Sequence, residues 1–123
     1  MAKILSMPAS APAPTPVSYT GQFGTVTRGN TDTKNVGVMP RSGQLTGEVN
    51  VQSDGRSVEY FPVKITINGV DTAITMTTVG ALQYQGLVSV SVNSGDIVTI
   101  ALSNTVPQES TATATGSWSL ELN

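Results

Sequence analysis

The chain contains no cysteine and no histidine. Without cysteine there is no disulfide and no thiolate nucleophile, and zinc loses its two commonest ligands. Without histidine, proton transfer near neutral pH loses its usual carrier. Charge is scarce as well. Asp, Glu, Lys and Arg make up 11% of the residues, against an ordinary ~25%. Six basic and eight acidic side chains leave a net charge of −2. That balance lacks the dense positive field a phosphate backbone demands, so no nucleic-acid partner is expected. Long apolar runs are missing too. After Lys3, only Ile4 and Leu5 precede Ser6 and Met7-Pro8, short of the roughly 7–15 residues of a secretory core or the ~18 of a membrane span. The expectation is a soluble chain with no membrane partner, no cofactor and no address of its own.

What is present is a Thr-, Ser- and Val-rich sequence of 123 residues, the length of one ordinary domain. Residues 1–16, MAKILSMPASAPAPTP, stand apart. Pro8, Pro12, Pro14 and Pro16 favour extended polyproline and block helix. This segment reads as an N-terminal arm that binds a partner through Lys3, Ile4, Leu5 and Met7. Its backbone at Ala2–Ser6, ahead of the first proline, can add a strand to a neighbour's sheet edge.

Residues 17–123 read as a single β-domain, with Gly, Asn, Asp and Ser punctuating short Val/Ile/Thr runs. Asn68-Gly69 predicts a type I′ hairpin that pairs Ile67 with Val70, Ile65 with Thr72 and Val63 with Ile74, with Met76 extending the same face. Asn93-Ser94-Gly95 predicts a second hairpin, Val90 opposite Val98 and Val88 opposite Ile100, with Gly95 left-handed. Asp54-Gly55 predicts a third turn, pairing Val51 with Val58 and Val49 with Tyr60. The hydrophobic parity then breaks at Phe61-Pro62, which reads as a bulge or a corner between two sheets. Further strands fall near Tyr19–Arg28, Asn35–Met39 and Thr113–Leu122, the last with Trp118, Leu120 and Leu122 inward. The fold expected is an all-β antiparallel sandwich or jelly roll of about eight short strands.

The chemistry is sparse. Asp54 and Asp96 sit in turns, where a carboxylate bonds nearby backbone, and Asp71 follows one. No Asp-x-Asp-x-Asp spacing offers a calcium loop, and no Ser-x-x-Lys offers a serine nucleophile. No catalytic, metal-binding or cofactor-binding residue is assigned, and the chain reads as a non-enzyme. Among the aromatics, Trp118 shares parity with Leu120 and Leu122 and reads as core, while Phe61 and Tyr84 are the candidate exposed contacts. Between Thr72 and Leu102 only Asp96 is charged. Uncharged strands of this kind invite edge pairing unless another subunit covers them, which favours a homo-oligomer.

The run ITINGVDTAITMTTVG…LVSVSVNSGDIVTIALSN, residues 65–104, resembles jelly-roll modules of bacteriophage and related structural proteins. The shared features are a hydrophobic strand, Asn-Gly, a Thr-rich strand and Val-x-Val-x-x-Gly-Asp-x-Val. The resemblance implies a virion structural protein, a capsid decoration (cement) or tail-associated subunit, often trimeric and without catalytic residues, with capsid decoration the leading reading. Its partner would be the major capsid protein or another virion subunit, met through the β-domain and the arm. Its place would be the capsid surface, after synthesis in the host cytoplasm. One alternative is a carbohydrate- or receptor-binding β-sandwich module working through Phe61, Tyr84 and neighbouring Asn and Thr groups. A further alternative is a tail-tube or fibre subunit.

Overall fold

The structure is a computed structural model that describes residues 15–123. These form nine strands: β1 (Val17–Val26), β2 (Thr31–Val38), β3 (Gly43–Ser53), β4 (Val63–Ile67), β5 (Val70–Ile74), β6 (Met76–Gly80), β7 (Gln83–Val92), β8 (Ile97–Ser103) and β9 (Ala114–Leu122). One sheet has five strands in the order β1-β9-β3-β7-β6, and the other has four in the order β2-β8-β4-β5. All pairings are antiparallel. With β6 set aside, the other eight strands have the connectivity of a jelly roll, changing sheet at every connection except the β4–β5 hairpin. The chain is an all-β sandwich.

Strand alternation explains the core. On the larger sheet Phe23, Leu45, Val49, Val51, Val88, Trp118 and Leu120 point inward and are buried; Val63, Ile65, Val98, Ile100 and Leu102 answer from the smaller one. Asn68-Gly69 turns as expected, with both residues at positive φ (51° and 83°). The register Ile67↔Val70, Ile65↔Thr72, Val63↔Ile74 matches the turn chemistry.

Three expectations are corrected. First, β7 and β8 do not pair, although Gly95 is left-handed as expected (φ 88°). Residues 93–96 carry the chain from one sheet to the other, so the Val88–Val92 and Val98–Leu102 stripes enter the core from opposite sheets instead of side by side. Second, Val51 and Val49 do not pair with Val58 and Tyr60. β3 already has β7 on one flank and β9 on the other, leaving no edge for residues 58–60, which form a 3-10 turn. The change of sheet expected at Phe61-Pro62 does occur, through this connector. Third, Met76 does not extend the Val70–Ile74 stripe. Ile74 pairs with Val63 in the smaller sheet and Met76 with Gly86 in the larger, so the chain switches sheets at Thr75 and gains a ninth strand. Gly86 permits that crossing, because a Cβ there would lie 2.4 Å from the Met76 sulfur and 2.5 Å from Ile74 Cγ2.

Lys3, Ile4, Leu5 and Met7 lie outside the described residues.

Candidate functional site

Phe61 and Tyr84, the expected exposed contacts, are buried at 1% and 3% exposure. They stack on each other with centroids 6.5 Å apart and planes 23° from parallel. Phe61 closes the core where the chain enters the smaller sheet, and Tyr84 follows the inward parity of β7. The Tyr84 hydroxyl donates to the Arg56 carbonyl. Tyr60 is half-buried beneath the Arg56 guanidinium, 5.6 Å from the ring centroid. None of these rings offers an open stacking platform, so the aromatic version of a ligand site is withdrawn.

A different site lies on the outer face of the five-stranded sheet. Gln52 aligns with Thr115 on β9 and with Gln83 on β7. Next to that row, Gln22 aligns with Ser117, Ser117 with Asn50, and Asn50 with Gln85. The pleat puts all these side chains on one face. At each side of the sheet a strand bulges. β1 gains a residue between Phe23 and Val26 relative to β9, and β6 gains one between Thr78 and Gly80 relative to β7. Bulges bend a strand and re-aim its side chains. Here they place Gly24-Thr25 and Val79 as the two walls of a groove of about 550 Å³. Four amides (Gln22, Asn50, Gln52, Gln83) and three hydroxyls (Thr25, Thr115, Ser117) line it together with Phe23, Val51, Val79 and Tyr84, with no charged side chain.

Beside the groove, outside its lining, the polar groups next to Asn50 hold one another. Gln85 Nε2 donates to Glu48 Oε2 at 2.8 Å and to Asn50 Oδ1 at 3.3 Å, and Asn50 Nδ2 donates to Glu48 Oε1 at 3.3 Å. Glu48 thereby fixes two amides that would otherwise sample several rotamers. A hydrolytic pair needs two carboxylates facing across a bond, and the groove lining contains none. Among the described residues, no three side chains of the metal-ligating types come together. Sequence reasoning passed over this site because its residues come from five separate strands. The one available signal was the polar alternation Gln44, Thr46, Glu48, Asn50, Gln52 along β3.

Titrating groups lie elsewhere. Thr113 donates its backbone N–H (2.7 Å) and hydroxyl (3.1 Å) to Asp54, which holds that carboxyl below its usual range. Lys64 (2.9 Å) and then Thr66 (2.8 Å) do the same for Asp71. Desolvation raises the Tyr84 phenol. Lowered carboxyl pKa values contribute stability above the unfolded value, ~4, and lose it as pH falls through the folded one. A raised phenol contributes below ~10 and loses its share as pH rises beyond that. With no histidine or cysteine side chain between these limits, denaturation midpoints should stay level from about pH 5 to 9 and fall on either side. Urea titrations across this range check the plateau, and Asp54→Asn should flatten part of the acid limb.

No family model matches the chain, and no curated protein matches it. Among solved structures it is similar to a family 35 carbohydrate binding module from Clostridium thermocellum, with 14% identity and a TM-score of 0.47 over 85% of this chain and 98% of that one.

Proposed function

We propose that this chain is a non-catalytic binding module that takes a neutral, hydroxyl-rich ligand, a glycan, in the groove on its five-stranded sheet. The observation that carries the reading is the uncharged amide and hydroxyl lining set between two strand bulges. Amides both donate and accept, so they match sugar hydroxyls in either sense. An ionic ligand would have to lose its hydration with no counter-charge to meet it. Without an aromatic platform the affinity rests on hydrogen bonds, each worth ~0.5–1.5 kcal/mol net. Titration of labelled protein with neutral oligosaccharides should move the amide signals of Gln52, Asn50 and Ser117 together. Gln52→Ala and Asn50→Ala should each weaken binding roughly 3- to 10-fold. If no neutral oligosaccharide perturbs these signals up to roughly 10 mM, far beyond a millimolar Kd, the reading fails.

The virion-subunit reading rests on the sequence resemblance over residues 65–104, and the jelly-roll strand order is compatible with it and with a binding module alike. In that reading the ligand is a capsid protein, the groove is incidental, and Lys3, Ile4, Leu5 and Met7 belong to the contact. Co-sedimentation with empty capsids at a fixed stoichiometry, unaffected by Gln52→Ala, would select it over the glycan reading.

A further inference from the structure

A two-sheet sandwich exposes four edge strands, here β1, β6, β2 and β5. Natural edges are blunted by bulges, charges or cover, because an open ladder pairs with whatever strand it meets. Three of these are blunted. β1 is bulged at Gly24-Thr25 and lies against β2, where Asp32 takes the Gly24 N–H at 2.7 Å. β2 is bulged between Asn35 and Gly37 and carries the Lys34–Asp32 ion pair at 3.4 Å. β6 is bulged at Val79. β5 has neither bulge nor cover among the described residues, and its single charge, Asp71, is paired with Lys64 on the neighbouring β4. Its register with β4 is unbroken, and Val70–Ala73 are exposed, Val70 at 70%.

The backbone of β5 has a definite polarity. Asn68 N–H bonds to Ile97 O on β8, so alternation turns Ile67, Ile65 and Val63 toward β5. Their partners Val70, Thr72 and Ile74 spend their N–H and C=O groups on β4, whereas those of Asp71 and Ala73 point to the open side. We propose that β5 is a self-association edge that pairs antiparallel with β5 of a second copy about a two-fold axis at Thr72. This register sets Asp71 opposite Ala73 of the other copy, so each outward N–H and C=O meets its complement. Val70 then faces Ile74 of the other copy on the inner face. No like charges stand opposite each other, and Asp71 is already neutralised within its own chain by Lys64 at 2.9 Å. A closed trimer would need two different edges to meet head to tail, and β5 has no second unblunted edge to pair with. The two-fold arrangement uses the one open edge twice and leaves the groove on the other sheet free.

The register predicts a cross-link. At a non-hydrogen-bonded antiparallel pair the Cα atoms stand ~4.5 Å apart, inside the disulfide range. The chain has no cysteine of its own. Thr72→Cys should therefore oxidise to a covalent dimer much faster than Ser89→Cys, an exposed position on the other sheet. Sedimentation of the full chain should show a concentration-dependent rise from 12.7 kDa toward twice that mass. Thr72→Lys and Thr72→Glu should each weaken association roughly tenfold or more by setting like charges across the axis. An equimolar mixture of the two should restore it, which shows that both variants are folded. Monomer at every concentration, a trimer mass, or equal oxidation of the two cysteine variants would each overturn the proposal.

Discussion

Replacing Asn104 by leucine should cost the domain at least about 3 kcal/mol, with a matching drop in its urea midpoint. Asn104 is 1% exposed, yet its side chain is polar. Its Nδ2 donates to the Val26 and Ala112 carbonyls, both at 2.9 Å, and its Oδ1 accepts from Val106 N–H at 3.1 Å. One amide thus fastens the end of β1 to both limbs of the 104–113 loop. Leucine keeps the branched shape, with bulkier ends, but strands three buried backbone groups, each costing about 1–3 kcal/mol less whatever water recovers. Asn104→Asp should be worse at neutral pH, since a carboxylate would face two carbonyl oxygens. Its extra destabilisation should ease as pH falls from neutrality toward about 4, because the buried acid is protonated in the folded state above the unfolded carboxyl value, and should level off below that. Gln108→Ala, exposed in the same loop, should change stability by under about 0.5 kcal/mol. A leucine variant as stable as the parent would show that the loop closes without this amide.

Asn104 also marks where sequence reading stops. Nothing local distinguishes it from the exposed asparagines of the turns, because its three partners are supplied by tertiary folding. The Asn68-Gly69 hairpin was legible because one turn type, set by two adjacent residues, dictates register on both sides. The Val88–Val92 and Val98–Leu102 stripes were legible as inward faces and no further. Period-two alternation reports which face a side chain occupies, and a neighbour beside it or across the core satisfies the pattern equally. The same ambiguity hid the central position of β3, which pairs with strands more than thirty residues away on both flanks.

The candidate site was less legible still. Gln22, Asn50, Gln52, Gln83, Thr115 and Ser117 each read alone as an ordinary solvent-facing residue. Strand order alone makes them neighbours, and the bulges that wall the groove leave only a faint mark, a glycine at Gly24. The misplacement of Phe61 and Tyr84 was avoidable. Phe61 shares parity with Val63 and Ile65, and Tyr84 with Val88 and Val92, so both lay on stripes already read as core.

Gly21→Ala should destabilise the domain by about 1–3 kcal/mol, the reverse of the usual effect. At a position with ordinary backbone angles, such a change normally stabilises by ~0.4–1 kcal/mol because the unfolded chain loses freedom. Gly21 is not among the positive-φ glycines, so the backbone accepts alanine. Space does not. Gly21 pairs with Trp118, and a Cβ there would lie 2.1 Å from the indole Cζ2 and 2.4 Å from Cη2. The ring has nowhere to go, since it is 5% exposed and packs against Phe23 with centroids 5.1 Å apart. Either β1 lifts from β9 or the indole leaves its rotamer. Gly21→Val should cost more, and lifting β1 should also move Gln22 from Ser117 and weaken the groove. Trp118→Leu should cost ~2–4 kcal/mol alone, but should absorb most of the penalty of Gly21→Ala, giving a coupling above about 1 kcal/mol. Urea melts followed by circular dichroism complete the double-mutant cycle without depending on the lone tryptophan. Additive costs, or a stabilising Gly21→Ala, would mean that the indole does not rest on this glycine.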